Sequence, residues 1–285
     1  MDLLTRLLIS LITQAALVEA RDAWAGGHLW RVSQLARRLA LDLKLPAPDV
    51  AQITLGALVH DLGKIGVAET ILNKPTRLSD EEFDAMRAHP ETGLAALVGH
   101  PLAHLVRESV LMHHETPDGT GYPQGLQGDA LPLVARIVGL VDAFDAMTST
   151  RSYRRQLGIE PALQAIEDNI DTQFDGGLAR HFIKMARAGA FDDIAGHSEK
   201  GIAMQHCPTC GPIIAIPHKT RSGDVIACPA CRTGFKVLGN ANDWHLRPLP
   251  VHISARPLSV DHELVQCLAQ EIRAQLDERV ALGVV

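Results

Sequence analysis

Near the end of its first quarter the chain reads Leu55-Gly56-Ala57-Leu58-Val59-His60-Asp61-Leu62-Gly63-Lys64-Ile65-Gly66. This apolar run follows two prolines, and its composition predicts a buried helix that ends near Gly63. A carboxylate at the buried end of an apolar helix is costly unless metal binding or an ion pair compensates its charge. The stretch therefore indicates a helical core with a metal ligand at Asp61. A helix cap or an ion pair with Lys64 would explain it too.

Further imidazoles stand at the ends of other predicted helices. His28 begins a second segment with helical apolar periodicity. A capping box at residues 79–82 starts a short helix that is predicted to end at His89, just before a proline. His113 and His114 are adjacent and precede a Gly-rich turn, which suits a substrate loop. Imidazoles suit a transition-metal centre, so these positions are candidate ligands.

A long predicted helix, residues 133–149, contributes carboxylates at Asp142 and Asp145. Two octahedral ions offer about twelve coordination positions. The candidate ligands, with Asp61 and a hydroxide bridging the ions, would leave about one position per metal for a phosphodiester, which the hydroxide would attack. The candidate metal ligands are His28, His60, Asp61, His89, His113, His114 and Asp142.

With these motifs the chain resembles the HD-GYP subgroup of the HD-domain phosphohydrolases, from about Arg21 to about Phe191. The resemblance implies an all-helical HD fold that hydrolyses the bacterial second messenger cyclic di-GMP to linear pGpG, or further to GMP. It also implies two iron or manganese ions on the candidate ligands. Some members bind a third metal through a Glu four residues before the first His, where this chain has Trp24. The matching motifs are His28, His60-Asp61-Leu62-Gly63-Lys64, His89-Pro90, His113-His114-Glu115, Gly121-Tyr122-Pro123, Val141-Asp142-Ala143-Phe144-Asp145-Ala146 and Arg151-Ser152-Tyr153-Arg154.

The resemblance also implies roles in catalysis and substrate binding. Asp61 and Lys64 would be catalytic, and the Lys64 ammonium would neutralise charge that develops on the phosphate. The Tyr122 ring would stack on a guanine, although it could instead pin its loop to the core. Arg151 and Arg154 would reach phosphate or base edges, or compensate the end of a helix. The implied substrate-binding set is Lys64, Gly121, Tyr122, Arg151 and Arg154.

A second metal motif follows the matched block. Two CxxC pairs, separated by seventeen residues, have the spacing of a four-thiolate zinc ribbon with short strands at 213–216 and 225–227. Redox-active pairs are the alternative. Residues 197–240 hold five basic and two acidic side chains, a local charge of +3, which is weak support for nucleic-acid binding. A protein-docking or stabilising role is favoured. The predicted structural zinc ligands are Cys207, Cys210, Cys228 and Cys231.

Composition favours one helical domain with small additions. The chain has 285 residues and 46% hydrophobic content but only 4% aromatic residues, so aliphatic side chains must fill the core. The expected fold class is all-α: an HD domain at 1–195, a zinc ribbon at 203–240, and a linker with a C-terminal helix at 241–285. The linker is inferred from its prolines. The final amphipathic helix is capped by Ser259 and would fold back on the chain or pair with another subunit.

The sequence also predicts the cellular location of the chain and its partners. The periodic N-terminal segment has polar interruptions and lacks a cleavage site, and no stretch is long enough to span a membrane. The chain is therefore expected to be cytoplasmic, where thiolates stay reduced. The matched block begins almost at the N-terminus, so regulatory input is expected through the ribbon, through a partner chain, or not at all. A diguanylate cyclase of the GGDEF type at the Gly-Tyr-Pro loop or the ribbon, and a homodimer, are further expectations.

Three functions remain open on the sequence. The leading one is an active cyclic di-GMP phosphodiesterase, because all of the expected ligand positions are filled. The second is a receptor that binds the nucleotide, or recruits partners, without turnover. The third is a hydrolase of another cyclic dinucleotide, since the shape of the pocket decides base selectivity.

Overall fold

A computed structural model describes residues 1–150, 157–217, 220–240, 243–253 and 260–276. The first two thirds of the chain are helical, with two short 3-10 helices at Leu62–Gly66 and Gly128–Ala130. The helices are α1 (Leu3–Glu19), α2 (His28–Asp42), α3 (Ala47–Val59), α4 (Glu69–Leu72), α5 (Asp80–Arg87), α6 (His89–Ala96), α7 (Ala103–Met112), α8 (Leu133–Thr148), α9 (Ile159–Asp168) and α10 (Gly176–Arg187).

Aliphatic side chains build the core, as the composition predicted. Helix α3 is buried on nearly every side because nine of its ten positions from Val50 to Val59 are buried, Gln52 being the exception. It packs against α2, α7 and α8. Helix α1 adds an apolar stripe at helical spacing. The few aromatic side chains in the core include Phe144, which meets Phe182 edge to face at 5.0 Å.

Two helix boundaries differ from the sequence prediction. Helix α3 ends at Val59, and a 3-10 turn then begins at Leu62, so the helix does not extend to Gly63. His89 does not end the capped helix α5 but begins α6, because Pro90 suits the first turn of a new helix. The capping box itself is confirmed, since the Ser79 hydroxyl accepts from the Glu82 N–H.

Removal of this cap is expected to weaken the protein modestly. In Ser79→Ala the Glu82 N–H loses its acceptor, so the free energy of unfolding should fall by about 1 kcal/mol. Urea unfolding measures the change. Thr76→Ala, in the exposed loop before α5, is the control and should leave the midpoint unchanged. An equal effect in both variants would contradict the role of the cap.

Residues 197–253, here called the strand region, depart from the all-α expectation. They form two antiparallel pairs, β1–β2 and β3–β4, and the three-stranded sheet β5–β6–β7. The all-α class therefore holds for the helical part alone. The strands are β1 (His197–Glu199), β2 (Ile202–Ala203), β3 (Gln205–His206), β4 (Ile213–Ile214), β5 (Val225–Ala227), β6 (Thr233–Asn240) and β7 (Asp243–His252).

The Pro-rich segment expected to be a linker contains strand β7. Pro248 lies opposite Phe235 of β6, and Pro250 follows it on the same strand. Strand β7 is at the edge of its sheet, where a proline without an N–H costs no inner hydrogen bond. Prolines therefore did not exclude a strand here. The domain limits 1–195, 203–240 and 241–285 stay a prediction.

The last described element is α11 (His262–Arg273), which folds back on the helical core as expected. Its buried face packs mainly on α1, and also on α3. Asp261 caps the helix, while the expected cap Ser259 lies outside the described residues. Cys267 is exposed, because it lies outside the buried face of the helix. Among the helices that the structure describes, none has the length and apolar character needed to cross a bilayer.

Candidate metal centre and four-cysteine cluster

Helix ends bring the candidate ligands together. His28 is the first residue of α2, His60 caps α3, and His89 is the first residue of α6. His113 caps α7, while Asp142 projects from α8. At a helix end the side chain can reach a common centre while the body of the helix packs in the core. The seven predicted ligands all meet there: His28, His60, Asp61, His89, His113, His114 and Asp142.

Asp61 lies between two groups of imidazoles. Its Oδ2 is 3.5 Å from His28 Nε2 and 3.4 Å from His60 Nε2, while its Oδ1 is 3.4 Å from His89 Nε2. The Asp142 Oδ1 approaches the first group, at 3.4 Å from His28 Nε2. The second group contains His89 and the adjacent pair His113 and His114, which directly follows α7. A carboxylate whose two oxygens face different ligand groups can bridge two cations.

The spacing of these atoms suits a cation better than direct hydrogen bonds. Ligands at right angles, each about 2.1 Å from an ion, lie about 3 Å apart. The Nε2 atoms of His89 and His113 are 3.1 Å apart. In addition, the buried Nε2 atoms of His28 and His60 have no hydrogen-bond partner within the described part of the chain. Buried polar atoms are normally paired, so these residues fit a metal centre.

In four of the five imidazoles, a contact of the other ring nitrogen fixes which nitrogen can bind a metal. Backbone carbonyls only accept hydrogen bonds, so an Nδ1 that contacts one must carry the proton and leave Nε2 with a free lone pair. Three of the rings make such a contact, and His28 Nδ1 instead lies 2.7 Å from Asp145 Oδ2. The carbonyl contacts are His60 to Ala57 at 2.8 Å, His89 to Met86 at 2.8 Å and His113 to Ser109 at 2.9 Å.

The pKa values of the histidines differ between the two ends of the centre. Burial, together with the neighbouring His89, lowers the pKa of His114 to about 3, and burial also holds the pKa of His113 well below its ordinary value. Burial would lower the pKa of His60 too, but the Asp61 and Asp142 charges outweigh it and raise that pKa to about 10. A metal at the carboxylate end would therefore compete with protons, and its binding would release them.

Lys64 lies at the rim of the centre and is bonded to Asp61. Its Nζ donates to Asp61 Oδ2 at 2.6 Å, so the ion pair considered from the sequence is present. The Lys64 charge contributes to a pKa of Asp61 well below the ordinary value, although burial alone would raise it. The ion pair and a place among metal ligands are compatible, because the same carboxylate also faces three imidazoles.

The Gly-Tyr-Pro loop covers the second imidazole group. The Tyr122 ring stacks on His114 with centroids 4.7 Å apart, and the Arg87 guanidinium lies 4.6 Å from the Tyr122 centroid. Gly121 lies close to the backbone at His114, because a Cβ at position 121 would be 2.5 Å from the His114 carbonyl oxygen. The buried Glu115 carboxylate accepts from two backbone N–H groups of the loop, which fixes its shape.

Some of the functional candidates were not predicted and others cannot be placed. Arg87 and Glu115 were not assigned roles, although Glu115 directly follows the His pair. Asp145 was noted on α8 but given no role, and Arg31, three residues after His28, was not considered. Both are buried and bonded to each other. The implied substrate ligands Arg151 and Arg154 lie outside the described residues.

The four predicted thiols also meet. Neighbouring Sγ atoms are 3.7 Å apart for Cys207 and Cys231, 3.6 Å for Cys207 and Cys210, and 3.5 Å for Cys210 and Cys228. Disulfide sulfurs would be about 2.05 Å apart. Sulfurs at the corners of a tetrahedron around an ion, each about 2.3 Å from it, lie about 3.8 Å apart. The cluster can hold a tetrahedral metal ion, and its geometry disfavours the redox alternative.

Known proteins match the helical part of the chain. A family model described as "HD domain" matches residues 13–178. A cyclic di-GMP phosphodiesterase of Vibrio cholerae is 32% identical over 204 residues, which cover 66% of this chain and 41% of that protein. A cyclic di-GMP phosphodiesterase of Thermotoga maritima is 36% identical over 173 residues, 60% of this chain and 47% of that protein.

A third relative has a different substrate in its name. A 3'3'-cGAMP-specific phosphodiesterase of Vibrio cholerae is 37% identical over 160 residues, which cover 56% of this chain and 35% of that protein. The chain spans less than half the length of these curated relatives. The HD domain match covers more than half of the chain and includes both His60-Asp61 and Gly121-Tyr122-Pro123. The chain therefore belongs to the HD domain family.

Proposed function

We propose that this chain hydrolyses a phosphodiester bond of cyclic di-GMP at a dinuclear metal centre, with linear pGpG or GMP as the product. The observation that carries the proposal is the position of Asp61, whose two carboxylate oxygens face two separate groups of imidazole Nε2 atoms. The names of the curated relatives support the substrate. The proposed metal ligands are His28, His60, Asp61, His89, His113, His114 and Asp142.

The proposed metals are iron or manganese, which suit an imidazole and carboxylate site. When bound, two such ions would lower the pKa of a water molecule to supply the nucleophile and would neutralise charge on the phosphate. The chain's own groups prepare the site. Asp145 and the backbone carbonyls orient the imidazoles, and Lys64 places an ammonium beside Asp61. Asp61 and Lys64 are therefore the proposed catalytic residues.

Substrate recognition is proposed at the loop above the second imidazole group. Gly121 lets the loop lie against the backbone, while the Tyr122 ring contacts both His114 and the Arg87 guanidinium. A guanine could displace the guanidinium and stack on the Tyr122 ring, and the guanidinium could then contact the edge of the base or a phosphate. The proposed roles of Lys64, Arg151 and Arg154 rest on the family resemblance.

The function is tested by loading the purified chain with manganese or iron without oxygen and following its products from cyclic di-GMP. The parallel substrate is 3'3'-cGAMP, because one relative of similar identity is specific for it. We expect linear pGpG or GMP. If the chain turned over 3'3'-cGAMP alone, its substrate would be 3'3'-cGAMP and not cyclic di-GMP. Micromolar binding without turnover of either nucleotide would show a receptor, and the enzyme proposal would fail.

Replacing Tyr122 separates recognition from loop packing. Tyr122→Ala should raise KM for cyclic di-GMP about tenfold with a smaller change in kcat, because a stacked base contributes about 1–3 kcal/mol. Tyr122→Phe keeps the ring and should resemble the unmodified chain. The kinetic constants are measured together with the melting temperature. A lower melting temperature with unchanged KM would show that the ring only pins the loop.

For the four-cysteine cluster we propose one structural zinc ion on Cys207, Cys210, Cys228 and Cys231. The chain has five cysteines, of which Cys267 is exposed and separate from the cluster. Native labelling with a maleimide should therefore modify Cys267 alone, and a chelator should expose the other four thiols. Mass spectrometry counts the labels. Rapid labelling of a cluster thiol in zinc-loaded protein would contradict the site.

We also propose the domain limits and the partners of the chain. The catalytic domain is proposed at 1–195 and the ribbon at 203–240, with residues 241–285 as a C-terminal part whose strand β7 pairs with β6 and whose helix α11 packs on α1. A diguanylate cyclase at the Gly-Tyr-Pro loop or the ribbon would couple synthesis and breakdown of one messenger. Size-exclusion chromatography with light scattering tests the proposed homodimer.

A further inference from the structure

The strand region lies against the short turn that leads into His28. This turn, residues 24–27, is the last part of the connection from α1 to α2 and precedes the candidate ligand directly. Gly27 has a φ of +75°, and a Cβ there would lie 2.4 Å from the Ser198 carbonyl oxygen on β1. A Cβ at Gly26 would lie 2.9 Å from the Ile213 side chain on β4. The turn and the strands are therefore packed without space for one more carbon atom.

Trp24 contributes a third contact at the same place. Its ring lies 3.3 Å from the position that a Cβ on Gly211 would take, and Gly211 directly follows Cys210 of the four-cysteine cluster. The Gly211 N–H donates to the Cys207 carbonyl at 2.9 Å, so the knuckle between the two cysteines determines where Gly211 lies. The side chain at position 24 thus lies beside the backbone of the residue that follows Cys210.

A buried guanidinium links the strand region to the ring of His28. Arg31 Nη1 donates to the His197 carbonyl at 3.0 Å and to the Gly26 carbonyl at 2.9 Å. Its Nε and Nη2 donate to the two Asp145 oxygens at 2.5 and 3.2 Å. Asp145 Oδ2 in turn holds His28 Nδ1 at 2.7 Å. Arg31 and Asp145 are each only 1% exposed.

We infer that the strand region positions His28 in the metal centre, so that the metal of the four-cysteine cluster sets the affinity of the HD centre for its own metals. The cluster shapes the knuckle, the knuckle and β1 fix the 24–27 turn, and Arg31 carries the same constraint to Asp145. His28 Nε2 is then held between the Asp61 and Asp142 carboxylates. The inference rests on the proposed metal centre and is independent of the identity of the nucleotide.

Manganese binding to the full chain tests this coupling without an activity assay. Free Mn²⁺ gives an electron paramagnetic resonance signal that is lost on binding, whereas zinc is silent. The variant Cys207→Ser with Cys210→Ser removes the zinc site. Ile213→Ala loosens the packing on Gly26 and leaves every thiol and every HD ligand in place, so it decides the question if the double variant does not fold. Zinc content is measured in each protein.

We expect both variants to weaken manganese binding, with the double variant about tenfold weaker, as is usual when a group that orients a metal ligand is lost. Leu163→Ala, a core truncation on α9, is the control for lost stability and should bind manganese normally. His28→Ala is the control for the centre itself. Normal binding by His28→Ala would overturn the metal centre and the inference with it. If His28→Ala binds manganese weakly but the double variant binds it normally, the inference alone is overturned. If the double variant is unfolded, normal binding by Ile213→Ala overturns the inference in the same way.

Discussion

Asp61→Asn is expected to lower kcat for cyclic di-GMP by about 1,000-fold or more, equivalent to about 4 kcal/mol of lost transition-state stabilisation. Asn keeps the shape of the side chain but has one oxygen and no charge. It cannot replace a carboxylate whose two oxygens face His28 and His60 on one side and His89 on the other. Bound iron or manganese should fall below the two ions per chain proposed for the HD centre, which elemental analysis measures on the same samples.

Asp84→Asn is the matched control for this variant. Asp84 is an exposed carboxylate on α5, so the same change of charge there should alter neither turnover nor metal content. If Asp61→Asn kept two metals and near-normal turnover, Asp61 would be only the ion-pair partner of Lys64, and the bridging role would be wrong.

Arg31→Met is expected to lower the free energy of unfolding by about 3–5 kcal/mol, because it leaves the Asp145 carboxylate buried without its partner. The change removes the charge but keeps a long side chain that fills space. Burial alone would raise the pKa of Asp145, but the Arg31 charge and the contact with His28 together outweigh burial and hold that pKa below its ordinary range. Urea unfolding at neutral pH measures the loss.

The pH dependence of this loss follows from the direction of the shift. A carboxyl whose pKa is depressed by folding stabilises the protein above its unfolded pKa, and this stabilisation disappears as the pH falls through the folded value. The unfolded value is about 3.9, so the difference between the two proteins should narrow below about pH 4. The double variant Arg31→Met with Asp145→Asn should recover part of the loss. An effect as small as that of Arg187→Ala, an exposed ion pair, would contradict the argument.

Much of the site could be predicted because metal binding restricts the residue types. His60 and Asp61 end an apolar helix, where a charge needs compensation, and the adjacent His113 and His114 precede a Gly-rich turn. These signals lie within single short segments of sequence. The cysteine cluster is similar, since the spacing of two CxxC pairs is itself the signal.

The second layer around the ligands could not be predicted in the same way. Asp145 and Arg31 are 114 positions apart in sequence, and Arg31 and the His197 carbonyl are 166 apart. Neither residue has a local pattern that distinguishes it from a surface charge. The strand β7 was missed for a related reason. Its prolines are acceptable only because the strand lies at a sheet edge, which depends on its pairing with β6.

By itself, the sequence determined the ligand types, the helical core and the two metal motifs, because these follow from local periodicity and from the chemistry of single side chains. Only the tertiary structure decided that Asp61 lies between two imidazole groups, that Tyr122 covers His114, and that the strand region packs on the turn before His28. Each of these arrangements requires backbone segments far apart in sequence to approach within a few ångströms. That approach depends on how the whole core packs.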